Sequence, residues 1–102
     1  MEWYLYILDC DGRYYTGVAT DPVRRLAEHR SRNSRAARFT RTARSHELIY
    51  SVAVGNRSMA LRAEARVKKL SRLQKARIVE RALTREDLLA SLDLVTEAGE
   101  AT

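Results

Sequence analysis

Residues 3–29 read WYLYILDCDGRYYTGVATDPVRRLAEH, and this stretch decides the fold. Its first part, Trp3–Asp9, predicts a β-strand because its side chains divide between the two faces of a pleated strand. The pair Asp11-Gly12 favours the positive φ angles of a tight hairpin turn. The segment Arg13–Val18 is rich in Tyr, Thr and Val and predicts the second strand. The stretch therefore begins as a β-hairpin.

A helix is expected directly after the hairpin, ending near His29. Thr20 or Asp21 can cap it, and Pro22 fits its first turn, where no N–H partner is needed. Arg25 lies four residues before His29, so the two side chains share one helical face. Arginine there can hold a phosphate by two parallel hydrogen bonds, and the histidine can add a hydrogen bond or relay a proton.

This ordered set resembles the GIY-YIG nuclease superfamily, over residues 2–80. Tyr4-Leu5-Tyr6 stands where the family has Gly-Ile-Tyr, and Tyr15-Thr16-Gly17 stands where it has Tyr-Ile-Gly. The helix with Arg25 and His29, and Glu64 further on, also look like that family. The likeness is greatest to its short stand-alone bacterial (YhbQ-like) branch. Two positions depart from the family pattern: Tyr4 replaces the first glycine, and the family asparagine has no evident counterpart in residues 69–74.

The resemblance implies an α/β (α+β) domain in which helices flank a small three-stranded, mainly antiparallel sheet. It implies a metal-dependent endonuclease that hydrolyses phosphodiester bonds in DNA, in DNA repair or processing. The catalytic residues that it implies are Tyr6, Tyr15, Arg25, His29 and Glu64. A tyrosine would share the activation of the attacking water, with positive charge nearby to favour the phenolate. Glu64 would bind Mg²⁺ or Mn²⁺, since Mg²⁺ keeps most of its waters and takes few protein ligands.

The remainder of the chain predicts one more strand and three helices. Glu47–Val54 is too apolar for a loop and predicts a strand that is central or well covered. Ser58 is a plausible cap for a helix from Met59 to about Leu70, and a further helix follows to Leu83. Thr84 and Asp87 resemble a capping box for the last helix. We expect a single domain over residues 1–95 and a flexible tail over residues 96–102.

Charge indicates the partner. The chain of 102 residues has 19 Lys and Arg against 13 Asp and Glu, a formal net charge of +6. Such an excess favours nucleic acid, and the expected nucleic-acid-binding residues are arginines of the helix and of the polar segment after it: Arg24, Arg30, Arg32, Arg35, Arg38, Arg41 and Arg44. Phe39 in that segment can stack on a base or fold back onto the core.

We expect DNA in preference to RNA, a cytoplasmic location, no membrane contact and no small-molecule cofactor, because no stretch looks like a signal peptide or a membrane span. The sequence leaves the oligomeric state open. It also leaves two alternatives to an enzyme. One is a non-catalytic nucleic-acid-binding module that retains the fold, and the other is a protein-interaction module whose basic surface meets an acidic partner.

Overall fold

The computed structural model describes residues 1–31 and 43–94. Strands β1 (Trp3–Cys10) and β2 (Arg13–Ala19) pair antiparallel, which confirms the predicted hairpin. Asp11 and Gly12 form its turn with φ angles of 55° and 88°, the pair of positive values that a type I′ hairpin turn requires. The Asp9 carboxylate accepts a hydrogen bond of 2.7 Å from the Gly12 N–H and tightens the turn.

Helix α1 (Pro22–Ser31) follows β2, as the sequence predicts. Of the two candidate caps, Asp21 has the observed contact: its carboxylate accepts a hydrogen bond of 3.1 Å from the Arg24 N–H. This bond satisfies one of the N–H groups that every helix leaves without a partner in its first turn.

The third strand, β3 (Glu47–Gly55), pairs antiparallel with β1, so the strand order is β2-β1-β3. The prediction that this strand could be central is wrong, because β1 occupies the centre and β3 forms an edge. The reason lies in the side chains. Residues Leu5 to Leu8 of β1 are buried in succession, which requires covered faces on both sides, whereas β3 buries only Tyr50 and Val54.

Three helices complete the described structure: α2 (Arg57–Lys68), α3 (Arg72–Arg81) and α4 (Arg85–Ser91). The cap of α2 is Asn56, whose side chain accepts a hydrogen bond of 2.9 Å from the Met59 N–H, so the prediction of Ser58 is wrong. Gly55, with a φ of 117°, turns the chain at the end of β3 and lets the helix begin earlier. Thr84 caps α4 as predicted, by accepting a hydrogen bond from the Asp87 N–H.

Helices cover both faces of the sheet. The face that we call the core face carries Leu5 and Ile7 of β1, and α2, α3 and α4 pack their apolar side chains onto it. The opposite face, which we call the tyrosine face, carries Tyr6 and Leu8 and packs against Leu26 of α1. The observed fold is thus an α+β arrangement with a three-stranded antiparallel sheet, which confirms the predicted fold class.

No helix in residues 1–31 and 43–94 is long and apolar enough to cross a membrane. The predicted basic segment between α1 and β3 lies mostly outside the described residues, as does the predicted tail over residues 96–102.

Candidate active site

The two predicted catalytic tyrosines lie on the same face of the hairpin. Tyr6 is paired with Gly17 across β1 and β2, and Tyr15 is two residues before Gly17, so both phenols project from the tyrosine face. Their ring centroids are 6.4 Å apart. A methyl group added at Gly17 would collide with the hydroxyl and the ring of Tyr6. Glycine is therefore required here so that the Tyr6 ring can lie flat against the neighbouring strand.

His29 reaches this face from the last turns of α1. It is fully buried, and its Nε2 atom lies 3.1 Å from the Tyr6 hydroxyl, within hydrogen-bond distance. The His29 ring also lies edge-on to Tyr15, with 5.2 Å between the ring centroids. A single imidazole thus contacts both tyrosines.

The electrostatics favour uncharged forms of these groups. Burial, the positive charge of Arg25 and the neighbouring His46 lower the pKa of His29 from 6.5 to about 4. Burial raises the pKa of Tyr6 well above its ordinary value, and its neighbour Tyr15 adds to the increase. At neutral pH the ring of His29 is therefore neutral, with one nitrogen free to accept a proton or a hydrogen bond.

Arg25 lies one turn before His29, at the border of the site. Its guanidinium is partly exposed and donates a hydrogen bond of 2.8 Å to the Glu28 carboxylate, and its positive charge lowers the pKa of both tyrosines. Sequence reasoning did not single out Glu28. The three-residue spacing between Arg25 and Glu28 is the signal that could have identified it, since residues so spaced are neighbours on a helix.

Glu64 approaches the same region from α2. Its carboxylate is mostly buried, and its negative charge raises the pKa of both Tyr6 and Tyr15, so it lies close to the phenols. Its ion-pair partner is the exposed Lys68, at 3.4 Å. Across residues 1–31 and 43–94, no group of three or more His, Cys, Asp or Glu side chains could hold a metal ion. A single carboxylate fits a largely hydrated Mg²⁺ ion but does not fit a metal that demands a full set of protein ligands.

The predicted nucleic-acid-binding arginines occupy different environments. Arg24 is exposed, 3.8 Å from Glu28, and Arg44 is also exposed. The Arg30 guanidinium donates two hydrogen bonds, of 2.9 and 3.2 Å, to the His46 carbonyl oxygen. The other four predicted arginines lie outside the described residues: Arg32, Arg35, Arg38 and Arg41.

Two residues that the sequence did not mark shape the site. His46 is buried, and its ring is stacked on that of His29, with 6.5 Å between centroids. Asp11 anchors the chain just before His46: its carboxylate accepts hydrogen bonds of 2.8 to 2.9 Å from the N–H groups of Arg44 and Ser45 and from the Ser45 hydroxyl. The same bonds lower the pKa of Asp11. The turn of the hairpin thus fixes the segment that carries His46.

Comparison with known proteins gives an independent view of the chain. The family model described as the GIY-YIG catalytic domain matches residues 2–77. A UPF0213 protein YhbQ of Escherichia coli is 42% identical over 91 residues, which cover 88% of this chain and 89% of that protein. A UPF0213 protein of Citrobacter koseri is 42% identical over 95 residues, which cover 92% of this chain and 93% of that protein.

Solved structures show the same fold. The solution NMR structure of a UPF0213 protein from Bacillus halodurans is 34% identical, with a TM-score of 0.51, and the match covers 93% of this chain and 100% of that one. The solution NMR structure of a protein from E. faecalis is 39% identical, with a TM-score of 0.54, and the match covers 79% of this chain and 85% of that one.

Proposed function

This chain belongs to the GIY-YIG family, in its YhbQ-like branch, and from that premise we propose that it is a metal-dependent endonuclease that hydrolyses phosphodiester bonds in DNA. The family suggests a nuclease, and GIY-YIG nucleases generally depend on a divalent metal. The observation that carries the proposal is that Tyr6, Tyr15, Arg25 and His29 converge on one face of the sheet.

The contact between Tyr6 and His29 suits the activation of water. A phenol with a raised pKa is a weak base by itself, because forming the phenolate in a buried site is unfavourable. A neutral imidazole 3.1 Å away removes this difficulty, since Tyr6 can pass its proton to His29 as it takes one from the attacking water. We therefore assign His29 as the proton acceptor of a relay, with Tyr15 beside it as the second phenol.

Arg25 is assigned to the phosphate. Its planar guanidinium can donate two parallel hydrogen bonds to the non-bridging oxygens, a geometry that lysine lacks. Glu28 holds one edge of the guanidinium at 2.8 Å and so orients it before the substrate arrives. Preorganised charge of this kind stabilises the transition state without a reorganisation step.

Glu64 is assigned to the metal. Its mostly buried carboxylate near the phenols would hold Mg²⁺ or Mn²⁺ through one bond and leave the remaining ligands to water and substrate. Such an ion, when bound, stabilises the charge on the leaving oxygen.

The choice of DNA over RNA, and a role in DNA repair or processing, follow from the resemblance to the family. The basic residues of α1 and of the segment after it, from Arg24 to Arg44, would attract the substrate through its phosphates.

The test is a cleavage assay on branched, nicked, single-stranded and duplex DNA, with RNA counterparts, in Mg²⁺, Mn²⁺ or EDTA. The Arg25→Ala and Glu64→Ala variants should each lose on the order of a hundredfold or more in rate. Both should retain most of their binding, which is spread over many basic residues, and their circular dichroism should match that of the parent.

An unchanged cleavage rate in both variants would mean that the assigned site is wrong. If the parent binds nucleic acid but cuts no substrate with either metal, the non-catalytic binding module becomes the better account. The raised pKa of Tyr6 and the absence of the family asparagine both favour that second candidate over an unrelated function.

A further inference from the structure

A groove lies between α3 and α4, on the core-face side of the sheet. Its floor is apolar and includes Ile78 and Leu83. Its polar wall belongs to α3, where Gln74, Arg77 and Arg81 follow one another at helical spacing and are all exposed. We call this feature the α3 groove.

The arginines of the α3 groove have no carboxylate partner within the described part of the chain. Helices α2 and α3 together, over residues 57–81, contain nine Lys and Arg but only two Glu, a surplus of seven positive charges. Glu64 is the one of these two that forms an ion pair, with Lys68. Unpaired charges of one sign on a helix face attract a polyanion.

The α3 groove is held in a fixed position relative to the candidate active site. Arg72, at the start of α3, donates a hydrogen bond of 2.5 Å to the Gly12 carbonyl oxygen in the hairpin turn. The same guanidinium lies over the Tyr14 ring, 4.3 Å from its centroid. Tyr14 precedes Tyr15 on β2, so the hairpin that supplies a phenol to the tyrosine face also anchors α3 on the opposite face.

We propose that the α3 groove binds the sugar–phosphate backbone of a nucleic-acid substrate, away from the bond that is cut. Arg77 and Arg81 would contact successive phosphates, and the amide of Gln74 and the hydroxyl of Ser91 offer further hydrogen bonds. The apolar floor would contact the sugars. This inference rests on the proposed function, because an endonuclease substrate continues beyond the bond that is cut and presents phosphates outside the tyrosine face.

An acidic protein is the competing occupant. Two features favour nucleic acid. The guanidinium forks match phosphate oxygens, and the other site of the same chain is assigned to a phosphodiester. The surface thus provides two faces, one for cleavage and one for holding a more distant part of the same substrate.

The test compares Arg77→Ala/Arg81→Ala with Arg57→Ala/Arg85→Ala, which removes the same two charges from residues that do not line the groove. Binding of a labelled DNA duplex of about 30 base pairs, which presents many phosphates, is measured in EDTA over a range of salt concentrations. Poly-glutamate serves as the acidic-protein probe. Circular dichroism and the melting temperature of both variants check folding.

The groove variant should bind DNA more weakly, with a log–log salt slope shallower by about 1.4 to 1.8, as expected for two lost phosphate contacts. The control variant should retain most of the parent slope. Equal slopes for the two variants, or loss of poly-glutamate binding with DNA binding intact, would overturn the inference. Because the assay needs no cleavage, a parent that binds through the groove but never cuts contradicts the proposed function alone.

Discussion

The two faces of strand β1 are buried to the same degree but are built from different chemistry. Leu5 and Ile7 on the core face and Tyr6 and Leu8 on the tyrosine face are all 0 to 1% exposed. The core face meets apolar side chains from three helices, whereas the tyrosine face encloses a phenol hydrogen-bonded to an imidazole. Burial of polar groups stabilises a fold less than apolar packing does, because their lost hydration must be replaced.

This difference indicates what each face is for. Apolar packing on the core face accounts for stability. The polar cluster on the tyrosine face suits a function that needs neutral acids and bases close together, next to a fixed positive charge. The following predictions test this division, beginning with the largest effect.

The largest expected change in stability follows from the core face. Leu5→Ala should lower the free energy of unfolding by about 2–5 kcal/mol, because it leaves a cavity in the middle of the sheet. The measurement is urea denaturation followed by circular dichroism. Val23→Ala, at a side chain that is 69% exposed, is the control and should change stability by less than about 0.5 kcal/mol. Similar losses in the two variants would mean that the core face does not dominate stability.

The second prediction concerns pH and the tyrosine face. The folded protein keeps His29 neutral down to a pKa of about 4, whereas the unfolded chain binds a proton below about 6.5. Stability should therefore fall as the pH drops from 6.5 towards 4, by up to about 3 kcal/mol. Denaturation at a series of pH values measures this, and His29→Gln should flatten the fall. Identical pH profiles for parent and variant would contradict the neutral, buried state of this ring.

The smallest effect concerns a polar group that is on the apolar side. Thr16 pairs with Ile7 and so shares the core face, and its buried hydroxyl has no hydrogen-bond partner within the described residues. Thr16→Val should raise the free energy of unfolding by about 1 kcal/mol, since it removes an unsatisfied group and keeps the shape. Thr16→Ser, which keeps the hydroxyl and loses the methyl, should lower stability by about 1 kcal/mol. A less stable Thr16→Val would show that the hydroxyl has a partner in solution.

Local patterns in the sequence were sufficient to predict the hairpin and part of the site. Alternation along β1 separates Leu5 from Tyr6, and Asp11-Gly12 specifies the turn, so both follow from neighbouring residues. The helical spacing of Arg25 and His29 likewise places them on one side of α1, facing the phenols.

Contacts between distant parts of the chain were not predictable in this way. Asp11 binds Arg44 and Ser45, more than 30 residues away, and no local pattern marks such a partner. The stacking of His46 on His29 depends on the same anchoring. The position of β3 at the sheet edge was missed for a related reason: an apolar run indicates burial but does not specify which strand has neighbours on both sides.

Two adjacent residues of β1 test the central claim most directly, because Tyr6 and Ile7 project from opposite faces of the same strand. The measurement is the DNA cleavage rate and the free energy of unfolding of Tyr6→Phe and Ile7→Val, side by side with the parent. Tyr6→Phe should cut about a hundredfold or more slowly, with stability changed by about 1 kcal/mol. Ile7→Val should lose about 0.5–1.5 kcal/mol of stability and cut at the parent rate. A Tyr6→Phe protein that cuts as fast as the parent would contradict the account.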